Sequence, residues 1–240
     1  RLGIYFHDLQ PADWFRFSAA AAHLAELGYG FGGPDQLHLA GAEKVCWISF
    51  DDNYRSWHQA LGTLAAIGVT ATFFVSTSPI RDRSSEAERI DYARRIGRSP
   101  ADFDTLSTTE ISEIAAAGHI VGSHSHSHRD LGSLPANDAR AEVLVSKQIL
   151  EEITGEPVIH FSYPYGTRRR FTEELRDYCR SIGFETVANG TPGMQYVPQK
   201  PDRLNRTRWD LDRSIDHNIA NLRVDGRWFE RVTGRSPMPG

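Results

Sequence analysis

The sequence predicts an α/β fold with a mostly parallel sheet, and three observations support this. Short apolar runs alternate with stretches whose apolar residues recur every three or four positions, as strands and helices do when they alternate. The length of 240 residues, 40% of them hydrophobic, suits one domain with a substantial core. No repeat or linker divides the chain, so we expect a single domain over residues 1–240. The pattern alone fits an open doubly wound sheet and a closed barrel equally well.

The predicted strands are short apolar runs that end at polar or turn-forming residues. They cover residues 2–6, 45–50, 71–75, 119–121, 159–163 and 185–188. The run at 45–50 is apolar at nearly every position, which is typical of a strand covered on both faces. Because such strands present functional groups at their carboxyl ends, the polar residues that follow each run are the first candidates for a site.

Helices are predicted between the strands from apolar spacing together with start and stop signals. Ser107 and Glu110 form a capping box, Thr172 is a cap, and Gly155 marks a helix end. The predicted helices cover about residues 13–27, 57–67, 108–117, 138–153, 173–182 and 215–222. The glycine-rich segment 28–42 and the segment 189–203 are predicted to be loops.

Residues 79–104 form a charged insertion in which both signs are mixed, with one predicted helix at about 86–96. The simpler interpretation is a solvated surface segment. The alternative is that the insertion forms a wall of the substrate cleft, because it follows a strand end on the side where loops of α/β barrels carry function.

The composition argues against several classes of partner. A net charge of −4 and a pI near 6.2 provide no broad basic surface, so we expect neither nucleic acid nor an anionic membrane as a partner, and a neutral or cationic substrate fits better. Cys46 and Cys179 are too few for a disulfide framework and are predicted to be core thiols. We expect no transmembrane segment and see no leader. The chain starts at Arg1, and a leader removed before it would place the protein outside the cytoplasm or in the cell envelope.

Two polar stretches at strand ends suggest a metal site. Asp51 and Asp52 follow one predicted strand, and His124 and His128 lie in a histidine-rich stretch after another. Histidines four positions apart can share one face of a helical turn or strand, and a carboxylate from Asp52 would complete a site of two histidines and one carboxylate with open positions. Taken alone, the Asp pair could equally be a turn or a helix cap. His126 is predicted to face away.

Three motifs in these regions resemble those of a known family. Residues 49–52 (SFDD), 124–131 (HSHSHRDL) and 161–166 (FSYPYG) resemble, in order, the first three motifs of the polysaccharide deacetylases with NodB homology, carbohydrate esterase family 4. The likeness covers nearly the whole chain. It implies the irregular (β/α) barrel of these enzymes, and it implies removal of N-acetyl groups from a glycan that contains N-acetylglucosamine or a related acetamido sugar.

Hydrolysis of an acetamide needs a strong nucleophile, a stabilised oxyanion and a proton for the departing amine. A divalent ion on Asp52, His124 and His128, for which we predict zinc, would lower the pKa of a bound water to roughly 7 and polarise the acetyl carbonyl. The family assigns the role of base to the aspartate that corresponds to Asp51.

The remaining roles follow from the resemblance. In the third motif the backbone N–H at the position of Tyr165 faces the oxyanion, and Pro164 belongs to the turn that presents it. One branch, which includes the deacetylases of biofilm poly-N-acetylglucosamine, carries its catalytic histidine at the front of the domain. His7 resembles that histidine and is predicted to be the general acid. Ser162 stands where many members have an arginine that orients the catalytic aspartate, and Arg206 is the candidate to replace it.

Two other functions stay open. The same metal site could hydrolyse another amide, an imide or an O-acetyl ester, because a fold does not fix its substrate. The chain could also be a non-catalytic glycan-binding module of the same fold, although binding alone needs no base at Asp51. A glycosidase is rejected, because its two carboxylates flank the scissile bond from separate sides and chain neighbours cannot easily do so. No feature of the sequence indicates an oligomeric state.

Overall fold

Parallel strands form the frame of the protein. The structure is a computed structural model that describes residues 1–38, 44–167, 170–192 and 200–222. Within those ranges the strands are β1 (Leu2–Phe6), β2 (Gly30–Gly32), β3 (Val45–Asp52), β4 (Thr72–Val75), β5 (Ile120–Ser123), β6 (His160–Ser162), β7 (Thr186–Asn189), β8 (Leu204–Asn205) and β9 (Thr207–Arg208). The strands pair only in parallel within those ranges.

Helices connect the strands near the predicted positions. In the described ranges they are α1 (Trp14–Glu26), α2 (Ser56–Gln59), α3 (Leu61–Ala66), α4 (Glu86–Arg95), α5 (Thr108–Ala116), α6 (Ala136–Thr154), α7 (Glu173–Ser181) and α8 (Ile215–Leu222). Ser107 caps α5 with a complete capping box, and Gly155 ends α6 at a φ of 72°. The helix predicted at 57–67 is divided at Ala60 into α2 and α3. Among the helices so described, none is both long enough and apolar enough to cross a membrane.

The sheet closes through the segment that contains β8 and β9. The strand order is β8-β7-β6-β5-β4-β3-β1-β9, with β2 beside β3. β8 pairs with β7 and β9 pairs with β1, so two strands separated only by Arg206 join the two edges of the sheet. The N–H of Arg206 donates to the carbonyl of Asn189, and the N–H of Trp209 donates to the carbonyl of Tyr5. The result is a nearly closed barrel, which confirms the predicted (β/α) barrel over the open sheet.

Alternate side chains of β3 enter two different cores. Trp47, Ser49 and Asp51 share one face, because side chains two positions apart on a strand point the same way. Trp47 lies in a small buried cluster with Leu37 of a short helical turn and with residues of β4, β7 and β8: Phe74, Ala188 and Leu204. Because β7 and β8 lie across the barrel from β3, their residues can meet Trp47 only inside it. The other face of β3 joins the main core shared with the helices, which also buries Cys46 and Cys179 as predicted. Asp51 therefore lies on the interior face of the barrel.

Three short strands were not predicted from the sequence. β2 lies in a segment predicted to be a loop, because its two glycines give no alternation of apolar and polar residues. β8 and β9 have two residues each, which is too short for any periodicity. These strands form because open sheet edges expose backbone groups that need partners. Predictions for residues 39–42 and 193–199 lie outside the described residues.

His119 contributes a pH-dependent contact between the turns that precede β4 and β5. Its Nδ1 accepts a hydrogen bond from the Ala71 N–H at 3.2 Å, so that nitrogen must be unprotonated to hold the contact. Burial lowers the pKa of His119 from its usual 6.5. As the pH falls, His119 therefore binds a proton at a higher pH in the unfolded chain than in the folded protein. The free energy of unfolding should accordingly fall as the pH drops below about 6.5.

Substituting His119→Asn is expected to weaken this pH dependence, because asparagine keeps an acceptor near the position of Nδ1 but does not titrate. Urea unfolding at pH 7 and pH 5 measures the effect as a smaller difference between the two pH values than in the parent. A difference as large as that of the parent would show that His119 does not contribute.

Candidate active site

A cleft of about 890 Å³ opens at the carboxyl ends of the strands. Asp51 and Asp52 end β3, and His124 begins the loop after β5. Because parallel strands place their carboxyl ends at one side of a barrel, residues far apart in sequence meet there. The cleft is lined by Asp51 and Asp52 together with His7, His124 and His128.

Asp52, His124 and His128 form a compact group of potential metal ligands. Nε2 of His128 lies 3.2 Å and Nε2 of His124 lies 3.6 Å from Oδ1 of Asp52. One ligand atom from each residue lies within 4.8 Å of the others, and all three side chains are buried. No other such group occurs among the described residues. Two imidazole nitrogens and one carboxylate suit zinc and related divalent cations, so the donor set fits the predicted metal.

His124 is oriented by a backbone carbonyl. Its Nδ1 lies 2.7 Å from the carbonyl oxygen of Ser162, and since a carbonyl only accepts, Nδ1 must carry the proton. This leaves Nε2 as the unprotonated nitrogen on the side of Asp52, which is the arrangement that metal-binding histidines commonly have. Burial lowers the pKa of His124 to about 4, so the ring is neutral at pH 7.

The backbone near the ligands has conformations that side-chain-bearing residues rarely adopt. The φ angles are 93° at Asp52, 64° at Ser125 and 56° at His128. Such conformations cost on the order of 1–3 kcal/mol each and persist only where the surrounding structure holds them.

Glu142 of α6 holds the loop that carries His128. Its carboxylate accepts hydrogen bonds from the N–H of Ser127 at 2.7 Å and from the Ser127 hydroxyl at 2.5 Å. Its carbonyl accepts from the N–H of His126 at 2.9 Å, and the His126 ring lies outside the ligand group, with Nδ1 2.8 Å from the Thr77 hydroxyl. Within the loop, the N–H of His128 donates to Oγ of Ser125.

Removing the Glu142 carboxylate is therefore expected to weaken metal binding without removing a ligand. We expect Glu142→Ala to reduce zinc affinity by about 10- to 100-fold, the usual effect of removing a group that orients a metal ligand. Competition with a chromogenic chelator measures the affinity. The control is Glu152→Ala, an exposed glutamate on the same helix that pairs with Arg83. Equal affinities of the two variants would contradict a positioning role for Glu142.

Asp51 is held by the guanidinium of Arg206. Nη1 lies 2.6 Å from Oδ1 and Nη2 lies 2.8 Å from Oδ2 of Asp51. The same two nitrogens donate to the hydroxyls of Ser49 at 2.9 Å and Ser162 at 2.6 Å. Arg206 is only 1% exposed. Its guanidinium carbon lies 4.9–5.5 Å from three ring centroids, those of Tyr5, Trp47 and Phe74.

The two neighbouring carboxylates differ in their partners. Burial alone would raise the pKa of Asp51, but the charge of Arg206 outweighs it and holds that pKa below the usual value. Burial alone would also raise the pKa of Asp52, but the hydrogen bond and the charge of His128 lower it below the usual value. Asp51 is not a member of the ligand group, so one carboxylate belongs to the candidate metal ligands while its neighbour is held by an arginine.

His7 and the turn at Tyr165 line the same cleft. The His7 ring packs edge-on against Tyr5 with centroids 5.5 Å apart, and burial lowers its pKa although Asp52 and Asp51 favour its protonated form. Tyr165 has a φ of 64° and packs edge-on against His128 with centroids 4.9 Å apart. Pro164 is buried in the turn and is not itself a lining residue.

The insertion at 79–104 contributes to the cleft. Residues 95–98 line it, and the buried Tyr92 of α4 packs edge-on against the metal-ligand candidate His128 with ring centroids 6.2 Å apart. The segment is therefore a wall of the cleft rather than only a solvated surface segment.

Sequence reasoning missed several residues that support the site. Ser49 could have been found, because it lies two positions before Asp51 on the same face of β3. Glu142 and Tyr92 had no local signal, since each reaches the site only through the packing of its helix.

Comparisons of sequence agree with this geometry. A family model for polysaccharide deacetylase matches residues 39–187. The Bacillus subtilis protein YxkH, which is named for that family, is 26% identical over 168 residues, or 70% of this chain and 52% of YxkH. The chain thus spans about half the length of that relative. The peptidoglycan-N-acetylmuramic acid deacetylase PdaA of Bacillus subtilis is 24% identical over 221 residues, or 82% of this chain and 74% of PdaA.

Solved structures share the fold at low sequence identity. The deacetylase PplD of Streptococcus pyogenes, solved with acetate, is 18% identical and matches with a TM-score of 0.72 over 93% of this chain and 98% of PplD. IcaB from Ammonifex degensii is 20% identical and matches with a TM-score of 0.69 over 93% of this chain and 97% of IcaB. Since the family model matches more than half of the sequence and these structures share its barrel, the chain belongs to the polysaccharide deacetylase family.

Proposed function

We propose that this protein is a metal-dependent hydrolase that removes N-acetyl groups from a polysaccharide containing N-acetylglucosamine or from a related acetamido sugar. The observation that carries the proposal is the buried ligand group of Asp52, His124 and His128 beside a second carboxylate, Asp51, that Arg206 holds outside the group. A site that only bound a glycan would need no such carboxylate.

The cation would be held by Asp52, His124 and His128, and zinc suits these ligands. When bound, it would act as a Lewis acid on the acetyl carbonyl and on the attacking water. The neutral His124 ring needs no deprotonation before it binds a cation at pH 7.

Asp51 acts as the general base. It takes a proton from the water as the water oxygen bonds to the acetyl carbon. Arg206 keeps Asp51 ionised and fixes both of its oxygens. It thus takes the role of the arginine that many family members have at the position of Ser162. In this role Arg206 is a positioning residue, since it acts through Asp51.

The turn at 164–166 provides the oxyanion donor, which is the backbone N–H of Tyr165. Support comes from the backbone: Tyr165 has a φ of 64°, and Gly166, with a φ of 61°, approaches Gly190 so closely that a Cβ would lie 2.4 Å from the Gly190 nitrogen. Pro164 limits the freedom of the same turn. A turn fixed in this way can hold a donor in place before the charge develops.

His7 acts as the general acid and gives a proton to the nitrogen as the C–N bond breaks. It lines the cleft with Asp51 and Asp52, which places it beside the predicted base. Burial lowers the pKa of His7, and the charges of Asp52 and Asp51 oppose this effect. The products are acetate and the free amine of the sugar.

Acetate release from N-acetylglucosamine oligomers tests the proposal. Protein stripped by a chelator and then reloaded with zinc should release acetate, whereas the stripped protein should not. Release that persists after stripping would contradict metal dependence. Binding of oligomers without acetate release by the loaded protein would indicate a glycan-binding module, and hydrolysis of O-acetyl esters or other amides alone would indicate a different hydrolase.

A further inference from the structure

The charge of the cleft differs in sign from that of the chain. The whole chain has a net charge of −4, yet the lining residues in the described ranges include more arginines than aspartates and no lysine or glutamate. The arginines are Arg95, Arg98, Arg170, Arg206 and Arg208. The aspartates are Asp51, Asp52 and Asp130. Asp51 pairs with Arg206, Asp52 lies against His124 and His128, and Asp130 pairs with Arg170.

Arg98 is one of two lining arginines that pair with no carboxylate of the described chain. Its Nε donates to the hydroxyl of Tyr54 at 2.9 Å, and its guanidinium carbon lies 5.4 Å from the centroid of that ring. Burial raises the pKa of Tyr54, so this hydroxyl stays neutral and adds no charge of its own. The carboxylates of Asp8 and Asp52 act on Arg98 from a distance, but neither forms an ion pair with it. Because Nε is the nitrogen engaged by Tyr54, the two terminal nitrogens remain for a ligand.

The backbone of Arg98 is fixed by the end of α4. Gly97 has a φ of 74°, and the N–H of Arg98 donates to the carbonyl of Ala93 at 2.8 Å, as in a Schellman motif. Tyr54 is held in turn by edge-on packing against Phe103, with centroids 5.2 Å apart. The guanidinium is thus positioned before any ligand arrives, which reduces the entropy lost on binding.

Arg208 is the second lining arginine of this kind. It lies on β9 opposite Tyr5 in the strand register, and it is exposed. No carboxylate among the described residues forms an ion pair with it. Its charge acts on His7, the predicted acid, so it belongs to the part of the cleft where the reaction would occur.

We infer that the cleft accepts an acetamido glycan that carries a carboxylate or a phosphate on a sugar next to the one that is deacetylated, with Arg98 as the main ligand of that anion and Arg208 as a second cation. This inference rests on the proposed function and names its substrate class. Arginine forms paired hydrogen bonds with both anions, so the chemistry is shared.

The expectation of a neutral or cationic substrate came from the net charge, which averages over the whole surface. Charges more than about 10 Å apart are largely screened at physiological salt, so a ligand in the cleft responds to the nearby arginines. The local charge therefore decides the class of substrate.

Three N-acetylglucosamine oligomers of equal length test the inference. One carries a carboxylate on the neighbouring sugar, the second carries a phosphate there, and the third carries the methyl ester of that carboxylate and is neutral. Calorimetry with the zinc-loaded protein measures binding, and acetate release is measured separately. We expect an anionic oligomer to bind about 10-fold more tightly than the neutral one, which is the gain from one charge-assisted hydrogen bond. The preference should shrink at high salt.

The variant Arg98→Gln should reduce this preference to less than about 2-fold, and Arg98→Lys should restore part of it because the charge returns without the paired geometry. The matched control is Arg94→Gln, an exposed arginine of the same helix outside the cleft, which should keep the full preference. The anionic oligomer that binds more tightly shows whether the preferred group on the neighbouring sugar is a carboxylate or a phosphate.

Equal binding of the three oligomers by the parent, or an unchanged preference in Arg98→Gln, would overturn the inference. A failure of the proposed function can be distinguished from a failure of this inference. If the anionic oligomers bind preferentially but none releases acetate, the anion site stands and the deacetylase proposal fails. If all three release acetate and bind equally, the deacetylase proposal stands and the anion site is wrong.

Discussion

Replacing Asp51 by asparagine is expected to lower kcat for acetate release by about 10²- to 10⁴-fold while zinc stays bound, because the amide cannot take a proton from water. Asp51 is outside the ligand group, so its substitution removes no metal ligand. Steady-state acetate release and metal content, measured on the same preparation, check both parts. The control is Asp177→Asn, an exposed aspartate on α7 that pairs with Arg180.

The same substitution also leaves the charge of Arg206 without its partner inside the barrel. Some loss of thermal stability is therefore expected, and activity should be compared well below the unfolding temperature of the variant. Folded, zinc-loaded Asp51→Asn with a kcat near that of the parent would rule out Asp51 as the base.

Replacing Arg206 by methionine should have the largest effect on stability. It leaves the Asp51 carboxylate buried and unpaired, and such changes cost about 3–5 kcal/mol. Without the guanidinium, burial should raise the pKa of Asp51, so the base becomes protonated at a higher pH than in the parent. The acid side of the pH–rate profile should move to higher pH, and urea unfolding measures the stability.

Two further variants separate the role of Arg206 from general damage. Arg203→Met removes a neighbouring, more exposed arginine that pairs with Glu173 on the surface, and it should cost no more than about 1 kcal/mol. The double variant Asp51→Asn with Arg206→Met should be less destabilised than the sum of the single variants, because neither charge is then left alone. An acid limb that does not move in Arg206→Met would show that Arg206 does not control the ionisation of Asp51.

The candidate metal ligands could be predicted because Asp52 lies at the end of one apolar run and the two histidines lie in the polar stretch that follows another. The Asp pair and the histidines four positions apart combine a local pattern with suitable ligand chemistry, and the parallel sheet brings them together. The sequence also partly predicts that the two neighbouring aspartates face different ways. Alternation along β3 places Asp51 on the interior face with Trp47 and Ser49.

The partner of Asp51 could not be derived from a local pattern. Arg206 contacts Asp51 across 155 positions of sequence, between two strands of two residues each. Only the resemblance to one branch of the family suggested it. Its burial depends on barrel closure, because the guanidinium packs among rings from β1, β3 and β4, and no local spacing describes that contact.

The excess of arginines over aspartates around the cleft was also not predictable from composition. The sequence shows mixed charges in the insertion at 79–104, but which of them reach the cleft depends on how α4 ends. The left-handed Gly97 and the contact with Tyr54 place Arg98 at the cleft, whereas Arg94 of the same helix lies elsewhere.

We propose that Asp52, His124 and His128 hold one divalent cation while Asp51 stays outside the ligand group and acts as the base. Zinc content by mass spectrometry, after stripping and reloading of the parent, Asp51→Asn and His124→Ala side by side, tests it most directly. We expect about one zinc ion per chain in the parent and in Asp51→Asn, and close to none in His124→Ala. Loss of zinc from Asp51→Asn, or full retention of zinc by His124→Ala, would contradict the account.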